Sequence, residues 1–213
     1  MSQFTVELLQ SRQVPSAVSL IQESFPARLL KFMIYGQTGI IDFLRAGIEH
    51  GDELRKSEFL VVPGAGNEVV ACAEFTFPEE GMAHLAYLAV DPGQRGRGIA
   101  TQLIREFILH HAEVHSVDLE VFSDNKPARK LYAGMGFVTE AGSTWRSREL
   151  PEPRGHLDVR DPGDSLTTHT KFGFSQFQVE CEKGWITLGR LGEDVVRTYA
   201  AEIFDDVTLL AAV

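Results

Sequence analysis

Cysteine is scarce in this chain, which has only Cys72 and Cys181 in 213 residues. Two cysteines so far apart provide neither a disulfide framework nor a zinc-binding spacing, so we expect a reducing, cytoplasmic compartment. Cys72 stands in an apolar run and is expected to be a packed thiol. Three histidines near a predicted helix end, His110, His111 and His115, are expected to be solvated, so no metal site is predicted.

Long apolar runs and a net positive charge are also missing. No apolar run approaches the ~18 residues needed to span a membrane, and no signal peptide is expected, so we predict no membrane partner. The net charge of −10 argues against nucleic acid as a main partner and is compatible with cationic amines. The length of 213 residues allows one sizeable core, with or without a small appendage.

The most informative stretch is an apolar run followed by a glycine turn and an amphipathic segment. Leu85–Val90 is apolar and stops before Pro92, which predicts a buried strand. Thr101–His111 carries its apolar residues at helical spacing. The sequence therefore predicts a strand, a turn and a helix N-terminus in direct succession.

The turn between these two elements has the composition of an anion-binding site. The first N–H groups of a helix have no internal partner, and the helix dipole favours an anion there. Gly96 and Gly98 remove the side chains that would hold a pyrophosphate away from those groups. Arg95 and Arg97 add positive charge. We therefore expect this turn to bind a phosphate-containing ligand.

Two common phosphate-binding motifs fit the turn poorly. A Walker A loop would need Gly-Lys-Ser/Thr, which the turn lacks. The dinucleotide fingerprint would need a third glycine where Thr101 stands. Glu120, however, lies roughly 20 residues downstream, where a dinucleotide fold places an acid for the ribose. The turn alone leaves the ligand open.

A second motif downstream separates these alternatives. Two patterns occur in order, Arg-x-x-Gly-x-Ala and then Asn-x-x-Ala-x-x-x-Tyr-x-x-x-Gly-Phe. Their matching residues are Arg95, Gly98 and Ala100 in the first, and Asn125, Ala128, Tyr132, Gly136 and Phe137 in the second. With these motifs the sequence resembles the GNAT superfamily of N-acetyltransferases over about residues 4–140.

The resemblance implies an α/β fold with a mixed central sheet and flanking helices. Local patterns beyond the matched region add a C-terminal extension of hairpin, helix and strand. We expect a core at 1–145, a Pro/Gly/Asp-rich loop or linker at 146–170, and an extension at 171–213. One strand of the extension is expected to complete the sheet, with the rest a small subdomain. This remainder either covers the acceptor cleft or pairs subunits, so a homodimer stays open.

Local patterns predict the individual elements. Strands are predicted at Phe4–Leu8, Glu58–Pro63, Glu68–Phe77, Met82–Val90, Ser116–Phe122, Phe137–Ala141, Phe172–Glu180, Gly184–Leu191 and Val207–Val213. Helices are predicted at Pro15–Phe25, irregularly within Pro26–Gly51, and at Gly98–His111, Lys126–Ala133 and Glu193–Phe204. Ser143–Thr168 is predicted to be a long loop, either a lid over the acceptor site or a linker.

The resemblance also implies acetyl-CoA as co-substrate and assigns its contacts. Backbone groups of Leu88, Ala89 and Val90 would pair with the pantetheine arm, and one N–H would polarise the thioester carbonyl. The pyrophosphate would be held by backbone groups of the turn: Arg95, Gly96, Arg97, Gly98, Ile99, Ala100 and Thr101. Asn125 would hydrogen-bond the arm near the sulfur.

Tyr132 matches the position of the family's general acid, which protonates the departing thiolate. The alternative is a core tyrosine that packs under Phe137. Glu120 is the candidate general base, because some family members that modify peptide N-termini use a glutamate five residues before the matched asparagine. The alternative for Glu120 is a structural or surface carboxylate.

Three further residues are fallback candidates for the base, namely His84, Tyr87 and Glu74.

From the motifs and the resemblance together, we predict a cytoplasmic, acetyl-CoA-dependent N-acetyltransferase in which a primary amine attacks the thioester directly. The acceptor could be a small amine, an antibiotic or a peptide N-terminus. The alternative is a non-catalytic acyl-CoA-binding module whose tail mediates regulation or dimerisation.

Overall fold

The structure is a computed structural model that describes residues 4–51, 57–152, 158–181, 184–200 and 204. The chain divides into two compact units. The first unit comprises Met1–Pro26 and Phe43–Ala141, and the second comprises Ala27–Asp42 and Gly142–Val213. Among the residues given above, no helix is long and apolar enough to cross a membrane.

The first unit contains a sheet between helices, and most of its predicted elements are confirmed. Its strands are β1 Glu7–Leu8, β2 Ser57–Pro63, β3 Val69–Glu79, β4 Met82–Val90 and β5 Ser116–Leu119. Its helices are α1 Val14–Ser24, α4 Ile99–His110 and α5 Lys126–Gly134. A further helix, α3 Ile40–His50, is shared with the second unit, which also contains the short helix α2 Ala27–Leu30.

The five strands follow the order β1-β2-β3-β4-β5. All neighbours are antiparallel except β4 and β5, which are parallel and connected through α4. A parallel pair needs such a crossover connection, because a tight turn can join only antiparallel strands. The mixed sheet predicted from the sequence is therefore present.

Two helices cover the two faces of the sheet. On one face, α4 buries Leu103, Ile104 and Phe107, and Phe107 stacks on Phe75 of β3 with ring centroids 3.6 Å apart. Helix α1 packs on the same central strands, but none of its residues belongs to the apolar cluster formed with α4, so α1 lies on the other face.

Cys72 is fully buried, and burial raises the pKa of its thiol to about 12. The expectation of a packed thiol is confirmed.

The second unit has a sheet of its own. Strands β6 Val159–Arg160, β7 Phe174–Cys181, β8 Gly184–Leu191 and β9 Val195–Arg197 are antiparallel in that order. The predicted tail hairpin is confirmed as β7 and β8. The described tail strands pair among themselves, so the strand expected to complete the first sheet is not found among them.

Three local predictions were wrong. Phe137–Ala141 forms no strand, and Val138 is 78% exposed there. The predicted loop at 143–168 contains most of helix α6, Pro162–Phe172, with its proline in the first turn and Gly173 as the left-handed C-cap. The predicted helix at 193–204 instead contains β9, which pairs with β8. The strand predicted at 207–213 lies outside the described residues.

Candidate active site

The site forms where β4 and β5 part. Their parallel pairing runs from Met82 opposite Ser116 to Leu85 opposite Leu119, where β5 ends. β4 continues to Val90 and remains paired with β3 on its other edge. Residues 86–90 of β4 therefore present a strand edge that β5 does not cover. Such an edge can accept an extended ligand as an additional strand.

A β-bulge marks the point of separation. Glu74 of β3 lies opposite Tyr87, whereas the next residue, Phe75, lies opposite Leu85. Ala86 is therefore an extra residue on β4. A bulge bends its strand and increases the local twist, so β4 turns away where its contact with β5 ends.

The hydrogen-bonding pattern decides which backbone groups face the open edge. The N–H of Asp91 donates to the Val70 carbonyl at 2.8 Å, so this pair is hydrogen-bonded. Hydrogen-bonded and non-hydrogen-bonded pairs alternate in an antiparallel ladder, which turns Ala89 toward β3. The backbone groups of Leu88 and Val90 therefore face the open edge. Of the three residues predicted to pair with the pantetheine arm, Ala89 thus differs from Leu88 and Val90 in the direction of its backbone groups. The sequence alone did not reveal this difference.

The glycine turn follows directly after this edge. Gly96 and Gly98 have φ angles of 76° and 83°, which favour glycine, and Gly98 is the N-cap of α4. A Cβ at either position would meet no atom within 4 Å, so the backbone conformation is what favours glycine here. The first-turn N–H groups of Ile99, Ala100 and Thr101 lie beyond the reach of intrahelical acceptors. The glycine turn therefore leads directly into the helix N-terminus, and anion binding there stays a prediction.

Both arginines of the turn are exposed and held by the surrounding chain. The Nε of Arg95 donates to the carbonyl of Val90 at 2.9 Å. Arg97 donates to the Gln94 side chain, and its guanidinium lies 5.3 Å from the centre of the Phe4 ring. These contacts keep two positive charges at the turn, where an anion would be stabilised.

Helix α5 brings Asn125 and Tyr132 to one face. Asn125 is the N-cap, and its side-chain oxygen accepts from the N–H of Ala128 at 3.2 Å. Tyr132 follows seven residues later, so two helical turns separate the pair by about 10 Å along the axis. The Asn125 oxygen therefore has a structural role, and the cofactor role predicted for the side chain stays a prediction.

Tyr132 is buried at the edge of the core. Its ring is 9% exposed and meets Phe137 edge-on, with centroids 5.7 Å apart. Burial raises the pKa of the Tyr132 phenol to about 12. The phenol is therefore protonated at neutral pH and can act as a donor. The packing on Phe137 is the contact expected of a core tyrosine, and a catalytic role stays a prediction.

The candidate bases differ in exposure. Glu120 is exposed and directly follows the last residue of β5. Glu74 is 1% exposed and lies opposite Tyr87, whose ring meets Phe25 edge-on at 6.0 Å. Glu74 is the carboxylate with the deepest burial in the described part of the chain, a property that the sequence did not reveal.

His84, the remaining fallback candidate, is already engaged by a carboxylate. Its Nδ1 lies 2.8 Å from an oxygen of Asp118 across the parallel strands. No group of three or more metal-ligating side chains occurs within the described ranges. The polar groups described above for the site include backbone amides, the Tyr132 phenol and the carboxylates of Glu74 and Glu120.

These features define a class of protein. A parallel strand pair that separates, an open strand edge and a glycine turn at a helix N-terminus together suit an extended ligand that carries a diphosphate. A family model described as the Acetyltransferase (GNAT) family matches residues 22–137. The chain belongs to this family, and the resemblance stated from its sequence motifs is confirmed.

Individual relatives agree with this assignment. Mycothiol acetyltransferase of Kineococcus radiotolerans is 41% identical over 64 residues, which cover 30% of this chain and 21% of that protein. The match therefore spans about a fifth of that relative.

Solved structures confirm the predicted GNAT-like fold. PaiA N-acetyltransferase of Thermoplasma acidophilum, in complex with coenzyme A, has a TM-score of 0.53 at 17% identity, covering 67% of this chain and 94% of that chain. Glucosamine-6-phosphate N-acetyltransferase of Arabidopsis thaliana has a TM-score of 0.51 at 13% identity, covering 68% and 99%.

Proposed function

We propose that this protein is a cytoplasmic acetyl-CoA-dependent N-acetyltransferase that acts on a primary amine. The observation that carries the proposal is the open edge of β4 at residues 86–90, followed directly by the glycine turn. Family membership supports the use of acetyl-CoA. The cytoplasmic location rests on the low cysteine content alone.

The chain's own residues suit the two ends of this co-substrate. Backbone groups of Leu88 and Val90 would bind the pantetheine arm along the edge, and one N–H would polarise the thioester carbonyl. The amides of the turn at 96–101 would hold the diphosphate, with Arg95 and Arg97 adding charge. Acetyl-CoA supplies an activated acyl group and a thiolate leaving group. Asn125 would bind the arm through its amide.

Direct transfer needs one group to accept a proton and another to donate one. The amine must be neutral when it attacks the carbonyl carbon, and the departing sulfur must be protonated. We assign the donor role to Tyr132, which burial keeps protonated. The same dry surroundings destabilise a charged thiolate, so protonation of the departing sulfur becomes more favourable.

We assign the acceptor role to Glu120. An exposed carboxylate at the end of β5 is accessible to an amine that arrives from solvent, either directly or through a water molecule. Glu74 is the competing candidate. It is a buried carboxylate on β3, opposite Tyr87 of β4, and could accept the proton of the amine instead of Glu120. Substitution of each residue in turn shows which of the two carboxylates is the general base.

The amine acceptor is identified by measuring turnover of acetyl-CoA with a panel of amines. Purified protein is mixed with acetyl-CoA and a panel of polyamines, aminoglycosides, amino acids, peptides with free N-termini and glucosamine-6-phosphate, and free thiol is measured. The proposal expects thiol release that depends on at least one amine, together with the acetylated amine by mass spectrometry. Acetyl-CoA binding without turnover on any amine would contradict it.

The second candidate is a non-catalytic acyl-CoA-binding module. The observation that favours it is the edge-on packing of Tyr132 on Phe137, which gives this ring a structural reason to be present. The module needs the glycine turn but no proton donor. Replacement of Tyr132 by Phe therefore distinguishes the two functions.

A further inference from the structure

The sheet of the second unit carries a row of polar side chains on one face. Arg160 of β6 lies opposite Gln178 of β7, and Gln178 lies opposite Thr187 of β8. Residues directly opposite each other in a sheet point to the same side, so these three side chains form a row across three strands. We call them the polar row. Their chain neighbours Val179 and Leu188 point to the other side and are buried there.

An aromatic side chain lies next to the polar row. Trp185 comes two residues before Thr187 on β8, so it lies on the same face, and it is 40% exposed. The Arg160 guanidinium lies 4.5 Å from the centre of the Trp185 ring, and its Nη1 donates to Oε1 of Gln178 at 2.9 Å. These two contacts hold the guanidinium in position without a ligand, which lowers the cost of binding one.

A cavity lies where the chain leaves this sheet. β6 ends at Arg160, and Asp161 has a φ angle of 48°, a left-handed conformation that aspartate adopts more readily than most residues. The first turns of α6 follow, and the Ser165 hydroxyl donates to the Ser175 hydroxyl of β7 at 3.0 Å. The polar row and the start of α6 together line a cavity of about 260 Å³.

The cavity offers hydrogen-bond donors and acceptors in similar measure. Four of the side chains that line it are hydroxyls or amides, which both donate and accept: Ser165, Gln176, Gln178 and Thr187. Arg160 supplies further donors, and the carboxylates of Asp161 and Asp164 supply acceptors. The lining therefore suits a ligand whose own groups both donate and accept.

Charge and size narrow the class of ligand. Two carboxylates beside one guanidinium leave no excess of positive charge for a phosphate. Pockets for drug-sized ligands measure about 300–1,000 Å³, so a cavity of about 260 Å³ suits a smaller molecule. A neutral sugar has this size, and each of its hydroxyl groups donates one hydrogen bond and accepts others.

We propose that the second unit contains a binding site for a neutral saccharide, formed by the polar row, Trp185 and the start of α6. Gln178 and Thr187 would bind neighbouring hydroxyl groups, because cross-strand pairs lie about 5 Å apart. The exposed indole of Trp185 would pack against the C–H groups of the sugar ring. The site lies within the second unit, and its ligand needs no amine, so this inference is independent of acetyl transfer.

Tryptophan fluorescence tests the site in the full-length chain. The chain has two tryptophans, Trp145 and Trp185, so Trp145→Phe leaves Trp185 as the only one. This variant is titrated with glucose, galactose, mannose, N-acetylglucosamine, maltose and cellobiose, and with glycerol and glycine for comparison. At least one sugar should shift the Trp185 emission to shorter wavelength in a saturable manner, because the sugar displaces water from the indole.

Two substitutions in the Trp145→Phe background locate the binding. Thr187→Ala and Gln176→Ala, both at exposed positions, should each lower the affinity for that sugar about 10-fold, since each removes a hydrogen-bonding group from the cavity. Thr170→Ala is the matched control, because Thr170 is exposed on α6 and does not line the cavity. It should bind the sugar as the parent does.

Three results would overturn this inference. The first is the absence of a saturable shift with every sugar of the panel. The second is equal affinity of Thr187→Ala, Gln176→Ala and Thr170→Ala, which would place the binding elsewhere. The third is an equal shift with glycerol or glycine, which would show that the cavity does not select a sugar. The panel sugars carry no primary amine, so none of these results bears on the proposed acetyl transfer.

Discussion

Leu85 lies opposite Leu119 in the last parallel pair of β4 and β5 before the strands part. The bulge at Ala86 follows at once, and the glycine turn begins a few residues later. The site therefore arises from a difference in strand length, since β4 runs on to Val90 whereas β5 stops at Leu119. Each residue to which we assign chemistry lies near this opening or on α5.

Replacement of Gly98 should weaken binding of acetyl-CoA. At φ 83° an alanine is strained by about 1–2 kcal/mol, so Gly98→Ala should distort the turn that presents the first-turn amides. We expect the Kd measured by calorimetry to rise about 10-fold. Gly134→Ala is the matched control, because a Cβ there meets nothing within 4 Å and the residue is exposed. Equal affinities of the two variants would contradict the assigned turn.

Tyr132→Phe should retain the fold and the affinity for acetyl-CoA but lose about 10²-fold or more in kcat. Only the hydroxyl is removed, so the ring contact with Phe137 is kept. Tyr199→Phe, at a position 82% exposed, is the control. Because the pKa of Tyr132 is raised to about 12, this phenol should produce no loss of activity below about pH 10. Unchanged turnover in Tyr132→Phe would leave the ring with a structural role only.

Glu120→Gln should lower kcat about 10²-fold, within the usual range for a general base. Thermal stability should change little, because the side chain is exposed. Glu74→Gln is the comparison, and steady-state kinetics with acetyl-CoA decides between them. If Glu74→Gln alone loses activity at normal acetyl-CoA affinity, the base lies on β3 and our assignment is wrong.

His111 should make stability depend on pH. Its two ring nitrogens lie 3.0 Å from Glu58 and 2.8 Å from Glu113, and the rings of Phe77 and Phe107 pack against it. Burial alone would lower the pKa of His111, but the two carboxylates outweigh it and raise the pKa above 6.5. The hydrogen bond to His111 lowers the pKa of Glu113 below 4.5.

The sign of the effect follows from these two directions. The His111 contribution is fully present below pH 6.5 and is lost as pH rises through the raised pKa. The Glu113 contribution is present above pH 4.5 and is lost as pH falls through the lowered pKa. Urea unfolding of His111→Gln should therefore show its largest deficit against wild type between about pH 4.5 and 6.5. A deficit that grows above pH 8 would contradict this account.

The sequence predicted the first unit well because its signals are local. The apolar run at Leu85–Val90, the glycine turn and the helical spacing after it each point to one structure, and all three are present. The motif from Asn125 to Phe137 placed Tyr132 on a helix. The parting of the strands and the bulge at Ala86 depend on the pairing register, for which the sequence carries no local signal.

The wrong predictions lie where pairing partners decide the structure. Val195 and Val196 read as part of a helical face, but pairing with β8 makes them a strand. Pro162 and Gly163 read as a loop, although proline in the first turn of a helix is favourable. Phe137 packs against the core, but Val138 belongs to no strand of the two described sheets.

Amide hydrogen exchange, resolved residue by residue by NMR with and without acetyl-CoA, tests the central claim most directly. The account predicts new protection at Leu88, at Val90 and in the turn at 96–101, with little change at Ala89, which is already directed toward β3. Bound acetyl-CoA that leaves Leu88, Val90 and the turn unprotected would contradict the claim that this edge and this turn hold the co-substrate.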